Sequence, residues 1–165
     1  MKNKVLLSFL CFFLYTHVFA QKISPEIINK QWSARWIASE RKMQRDYGVY
    51  HFRKKINLPE RPSSFIVHVS ADNRYKLFVN GKLVSLGPAR ADVTHWNFET
   101  VDIAPYLKTN ENVIAAVVWI FGEFRTEAEI SYRTGFILQG DTEKESIVNT
   151  NNTWKMYPSI KAILH

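Results

Sequence analysis

Tyr75-Lys76-Leu77-Phe78-Val79-Asn80-Gly81-Lys82-Leu83-Val84 is the stretch that decides the fold. An Asn-Gly pair between two apolar runs is the strongest short hairpin signal, because a two-residue type I′ turn needs positive φ at both central positions. Tyr75, Leu77 and Val79 alternate with Arg74, Lys76 and Phe78. That period of two is the pattern of a strand with one buried face.

The same period continues upstream. Tyr50, Phe52, Ile56 and Leu58 share one face of a strand whose other face carries His51, Arg53 and Lys55, and Lys54 interrupts the apolar face, which predicts a bulge or an edge there. Phe65, Val67 and Val69 alternate with Ile66, His68 and Ser70, and Asp72-Asn73 reads as turn chemistry, since both side chains bond nearby backbone. Downstream, Gly87-Pro88 ends the hairpin and Ala89 to Glu99 has no clean period, so a long loop is expected before a strand at Phe98 to Ile103. Ala104-Pro105-Tyr106-Leu107 predicts one helical turn. Val113 to Trp119 is apolar on both faces and predicts a central strand, Arg133 to Gln139 another, and Trp154 a residue that closes the sheet. Seven or eight short strands with hardly any helix predict an all-β, two-sheet antiparallel β-sandwich.

The chain has 165 residues, 46% hydrophobic and 22% charged, the balance of one globular domain. It is too short for an eight-fold βα barrel of about 250 residues. Lys2 and Lys4 precede the apolar run Val5 to Phe13, and Val18-Phe19-Ala20 suits a signal peptidase, so residues 1–20 read as a cleaved signal peptide. A membrane anchor is disfavoured because Ser8, Thr16 and His17 interrupt a run already short of about 20 residues. Bulky Leu10 argues against Cys11 as a lipid attachment site. The mature protein is therefore expected in the periplasm or secreted, off the membrane, with residues 21–156 forming the sandwich and 157–165 a tail. The single cysteine lies in the signal segment, which leaves no disulfide or thiol-based zinc site in the rest. The formal charge of +7 falls to +5 with Lys2 and Lys4 removed. Without a basic helix or stripe that excess does not point to nucleic acid.

Several motifs then align with a known family. Trp36-Ile37-Ala38, the run Asp72 to Gly81, Gly87-Pro88-Ala89-Arg90-Ala91-Asp92, His95-Trp96-Asn97-Phe98-Glu99-Thr100, Asp102 to Lys108, Asn112 to Ala116 and Thr134-Gly135-Phe136 carry the likeness. Over Trp32 to Trp154 the chain resembles the N-terminal β-sandwich of bacterial α-L-rhamnosidases in glycoside hydrolase family 78. The Asn-Gly hairpin with Asp-Ile-x-Pro-Tyr-Leu-Lys is shared more widely by galactose-binding-like jelly rolls. The resemblance implies a jelly roll that precedes a helical (α/α)6 catalytic barrel bearing the acid and base carboxylates. This chain has no room for that barrel and inherits no catalytic residue, so it is expected to be non-catalytic alone and to pack on a catalytic glycosidase domain. A free-standing module for rhamnose-containing plant polysaccharide, or a functionless remnant, are the other readings.

Sugar recognition pairs an aromatic face with planar hydrogen bonds to hydroxyls. Arg90, Asp92, His95, Trp96 and Glu99 fall together on the connection after the hairpin and are the candidate substrate-binding residues. The competing reading has Arg90 and Asp92 bonding each other or the backbone while Trp96 fills the end of the core. Trp32, Trp36, Trp119 and Trp154 read as core or interface residues. Glu123, Glu127 and Glu129 lie on an aperiodic stretch that predicts a solvated loop rather than the paired carboxylates of glycoside hydrolysis. His51, His68 and His95 are too scattered for a metal motif, so no metal and no cofactor is assigned.

Overall fold

The β3–β4 hairpin (Arg74–Val79 and Lys82–Gly87) turns at Asn80 (φ 51°) and Gly81 (φ 81°), the left-handed pair that its type of turn demands. The structure, a computed structural model, describes residues 23–38, 47–92, 94–127, 131–132 and 134–158. The predicted signal peptide 1–20 and residues 159–165 lie outside them, as do Arg41, Lys42, Arg45, Glu129 and Arg133. A Cβ at Gly81 would meet nothing within 4 Å, so its backbone angle, not its surroundings, requires glycine.

A short helix α1 (Pro25–Asn29) precedes β1 (Gly48–Leu58) and β2 (Ile66–Asp72). After the hairpin come β5 (Glu99–Asp102), a 3₁₀ turn (Ala104–Tyr106), β6 (Asn110–Ile120), β7 (Gly135–Gly140) and β8 (Lys155–Pro158). They form two antiparallel sheets, β4-β3-β6-β1-β8 and β5-β2-β7. This is the expected all-β sandwich, arranged as a galactose-binding-like jelly roll. The central position of β6 agrees with its apolar run. The core lies between the sheets, where Phe52 of β1 stacks on Phe136 of β7 at 5.3 Å and buried Trp154 meets the same ring at 5.6 Å. Trp154 thus closes the core and leads directly into the edge strand β8.

Lys54 produces no bulge: β1 runs in unbroken register with β6 from Gly48 to Leu58. β8 pairs with β1 only from Tyr50 to Arg53, so Lys54 begins the part of β1 that is an edge. Burial there lowers the Lys54 pKa. The irregularity sits instead in the hairpin, between Leu77 and Phe78, where β4 carries one extra residue.

Two polar features organise the rest. Asn112, fully buried, receives hydrogen bonds at Oδ1 from Asn80 Nδ2 (2.8 Å) and Lys108 N (2.9 Å). Its Nδ2 donates to the Lys108 and Asn110 carbonyls at 2.7 and 3.0 Å. Asn80 also donates to the Tyr106 carbonyl and accepts from Val113 N. The hairpin tip, the 3₁₀ turn and the start of β6 are thereby tied at one point. Asp102 secures the same end, accepting from Phe65 N and Ala104 N at 3.0 and 2.9 Å.

The second feature departs from expectation. His68 and Ser70 lie on the face of β2 opposite Val67 and Val69, yet both are buried. The N-terminal arm lies over that face. Ile37 pairs with Phe136 as an added bridge, Ala34 N donates to Gln139 Oε1 (2.8 Å), and Thr150 Oγ1 donates to the Arg35 carbonyl (2.7 Å). Trp32 and Phe98 flank the His68 ring at 6.1 and 5.5 Å. His68 is satisfied internally: Nε2 lies 3.0 Å from Asp141 Oδ1 and Nδ1 2.9 Å from Thr100 Oγ1. In this arrangement the neutral ring donates from Nε2 to Asp141 and accepts at Nδ1 from Thr100.

Replacing Asn112 by Ala strands the Lys108 N–H and two carbonyls, and is expected to lower stability by about 3 kcal/mol in urea unfolding. Burial lowers the His68 pKa, against an opposing pull from Asp141. The unfolded chain therefore binds the proton more readily than the folded one. The stability is fully present above the unfolded value near 6.5 and is lost as pH falls from there through the lower folded value. A melting temperature that declines between pH 7 and 5, with a His68 NMR titration midpoint below 6.5, is the expected outcome.

Candidate functional site

Residues 88–92 and 94–99 form an arch closed by rungs of side-chain hydrogen bonds. At its foot Ala89 N donates to Glu99 Oε1 (2.9 Å), and higher up Asn97 Nδ2 donates to the Arg90 carbonyl (2.8 Å). At its tip Asp92 Oδ1 accepts from Thr94 N (2.7 Å), Thr94 Oγ1 (2.6 Å) and His95 N (2.8 Å). Bonds from the Thr94 hydroxyl and N–H, then from His95, hold the Asp92 carboxyl well below the ordinary carboxylate range. Ser70 Oγ donates to the Asn97 carbonyl at 2.7 Å and pins the arch to β2.

The five predicted contact residues are thus brought onto one arch, but in different roles. Arg90, Asp92 and His95 are exposed, with the His95 ring 3.0 Å from Asp92 Oδ2. Asp92 bonds the backbone of its own turn. Trp96 is half-buried, and its ring meets Trp36 edge to face at 5.7 Å and 88°. Its Nε1 is buried with no hydrogen-bond partner among the described residues, so ring packing holds it. Trp36 itself is 42% exposed and belongs to the surface rather than the core.

Glu99 leads to a feature that sequence reasoning missed. A cleft of about 460 Å³ is lined by Arg74, Lys76, Leu86, Pro88, Glu99 and Trp119, with Tyr75 and the backbone of Gly87 and Ala89 at its inner end. Arg74 and Trp119 are direct partners across β3 and β6 and so share the outer face. The Lys76 ammonium lies 5.9 Å from the Trp119 ring centre. The Arg74 guanidinium donates to the Pro88 carbonyl. A Cβ at Gly87 would fall 2.7 Å from Glu99 Cγ, so glycine lets Glu99 lie across the end of the hairpin. Burial pushes the pKa of the Tyr75 hydroxyl up, and it bonds Ser85 Oγ at 3.0 Å. The signal for the cleft was present in the outward positions of β3 and β6, but their adjacency depends on strand order.

Asp72 and Asn73 also reach beyond their own turn. Asp72 Oδ2 accepts from Tyr132 N (2.7 Å) and Asn73 Oδ1 from Phe121 N (3.0 Å), so both buried side chains anchor the loop after β6. That loop opens with a 3₁₀ turn (Gly122–Phe124) and exposes Glu123 and Glu127, in keeping with a solvated stretch. Among the described residues no group of His, Cys, Asp or Glu is placed to hold a metal ion. No helix among them is long and apolar enough to cross a membrane.

Fold and surface together define a jelly-roll β-sandwich with an aromatic and charged rim. The likeness to α-L-rhamnosidases holds in three dimensions. A GH78 family rhamnosidase of Bacillus sp. GL1 superposes with a TM-score of 0.71 at 27% identity over 78% of this chain and 14% of that one. An α-L-rhamnosidase from Dictyoglumus thermophilum gives 0.59 at 16% identity, over 78% of this chain and 17% of that one. A lectin from Pleurotus ostreatus in complex with GalNAc gives 0.53 at 22% identity, over 78% of this chain and 36% of that one. The chain therefore spans about one-seventh of the first of these enzymes. No protein-family model matches it, and no curated protein does.

If the Trp36–Trp96 contact holds the arch, a double-mutant cycle with Ala at both positions should give a coupling of about 0.5–1.5 kcal/mol in urea unfolding. Strictly additive losses would show that the two rings do not support one another.

Proposed function

We propose that this protein is the carbohydrate-binding accessory sandwich of an exported α-L-rhamnosidase-like glycoside hydrolase, non-catalytic itself and packed against a separate catalytic domain. The observation that carries this reading is the superposition on the Bacillus rhamnosidase, which covers most of this chain and a small part of that enzyme. In such an arrangement the sandwich supplies binding and shape while the carboxylates that cleave the glycoside reside on the partner domain.

Two surface features support the two halves of the role. The arch carries exposed Arg90 and His95 together with half-buried Trp96, planar hydrogen-bonding groups and an aromatic ring of the kind that recognise sugar hydroxyls and an apolar ring face. At the end of the sandwich near the β1 start, exposed Tyr47 packs edge to face on Phe124, which is 73% exposed, and Tyr132 is exposed on the same loop system. An aromatic cluster of that kind suits burial against a catalytic domain.

The purified protein should show no turnover of an aryl α-L-rhamnoside yet be retarded by rhamnose-containing polysaccharide in affinity electrophoresis. Substituting Arg90 or His95 by Ala should weaken retardation about fivefold with melting temperature unchanged, because both side chains are exposed. Turnover that a single carboxylate substitution abolishes, or the absence of retardation by any rhamnose-bearing polymer, would overturn this reading.

A further inference from the structure

The two outer faces of the sandwich differ sharply. The arm and the arch cover the face of the three-stranded sheet, whereas on the outer face of the five-stranded sheet Pro88, Ala89 and Glu99 flank the Arg74–Trp119 end and Lys76, His51, Arg53 and Lys155 stay exposed. Strand register fixes what that face carries. One row across β4, β3, β6, β1 and β8 reads Leu86, Lys76, Val117, His51, Tyr157. The next reads Leu83, Phe78, Ala115, Arg53, Lys155. Lys76, His51, Arg53 and Lys155 are all exposed. Two described carboxylates bear on this face: Glu111, engaged by Lys55 at 2.9 Å, and Glu99 in the wall of the cleft, which accepts from Ala89 N. Lys76 makes no ion pair with any described residue; its contact is the Trp119 ring.

We propose that this face is a platform for an acidic glycan, a chain bearing uronate units, with one sugar ring lodged in the cleft against Trp119 and its carboxylate on the Lys76 ammonium. The inference rests on the carbohydrate-binding reading and names the charge class of the ligand. Val117 and Ala115 make a low apolar floor between the cations, on which the C–H faces of pyranose rings can lie flat. Strands lie about 4.8 Å apart and rise about 3.4 Å per residue, so Lys76 and Arg53, two strands and one row apart, are separated by roughly 12 Å. That distance lets both cations reach carboxylates of one extended sugar chain. A neutral glycan has no use for unpaired cations on a flat face, whereas a polyanion is drawn to them and held in register. The cleft closes one end of the path, where Glu99, tied to Ala89 N, stands opposite Lys76 and is placed to accept from ring hydroxyls.

The test compares three probes on the full-length exported protein: an oligogalacturonide, the same oligomer with its carboxylates reduced to alcohols, and a neutral rhamnose-bearing oligosaccharide. The acidic oligomer is expected to bind about tenfold more tightly than its reduced form, with affinity that falls as salt is added. Lys76→Gln and Arg53→Gln should each remove about threefold to fivefold of that preference at unchanged melting temperature, since both side chains are exposed. Trp119→Ala should weaken the acidic and reduced oligomers alike. Equal affinity for those two oligomers, with the neutral rhamnose oligosaccharide still bound, overturns this inference and leaves the proposed function standing. Failure to bind any of the three overturns both. A uronate preference that survives the Lys76→Gln, Arg53→Gln double variant, or variants that abolish association with a catalytic glycosidase domain while sparing glycan affinity, overturns the assignment of this face.

Discussion

The buried amide pair Asn80–Asn112 is the constraint from which the rest of the structure follows. Where the hairpin tip, the 3₁₀ turn and the start of β6 converge, several backbone groups are cut off from water and need partners. Asn112 uses both lone pairs of its oxygen and both hydrogens of its nitrogen, and Asn80 bridges to it from the left-handed turn. This pins β3 against β6 in one register. A slip of one residue would turn Tyr75, Leu77 and Val79 outward and bury Lys76 and Trp119's neighbours in their place. The core face and the charged outer face are thus selected by the same bonds.

Coverage of the sheets gives the molecule its polarity. The three-stranded sheet is buried on both faces, with His68, Ser70 and Gln139 on the outer one. The arm from Trp32 to Ile37 and the arch seal it around a neutral, fully bonded His68. The arch is held by bonds internal to its sequence: Asn97 and Glu99 bond backbone across it, and Asp92 bonds the backbone of its own turn. Its foot ties Glu99, which lines the cleft, to Ala89 N. The five-stranded sheet, by contrast, presents an apolar and cationic surface with Trp119 at one end.

The motif residues behind the family resemblance prove to be mostly structural. Asn80, Asn112 and Asp102 tie off one end of the sandwich, while Asp72 and Asn73 anchor the loop after β6 at the other. This explains why such motifs announce the jelly roll more firmly than any ligand. The hairpin, the central strand β6 and the buried alternation of β3 were legible because each follows from local chemistry: positive φ at Asn80 and Gly81, or a period of two. The burial of His68 was not, because alternation in β2 reports only which residues share a face, and what covers that face comes from residues 32–37 far away in the chain. The cleft escaped for a similar reason. Arg74 and Trp119 are 45 positions apart in the numbering and become neighbours only through antiparallel pairing of β3 with β6.

The sequence by itself determined the class of fold, the hairpin and its turn, the strand faces and the loop on which the candidate sugar contacts gather, since these depend on neighbours within a few residues. Only the tertiary structure decided which outer face keeps its cations exposed, that Asp92 serves its own turn while Glu99 faces a cleft, and that Lys76 comes to rest beside Trp119. Those outcomes depend on strand order and on long-range packing between segments remote in the chain, which local propensity and period do not encode.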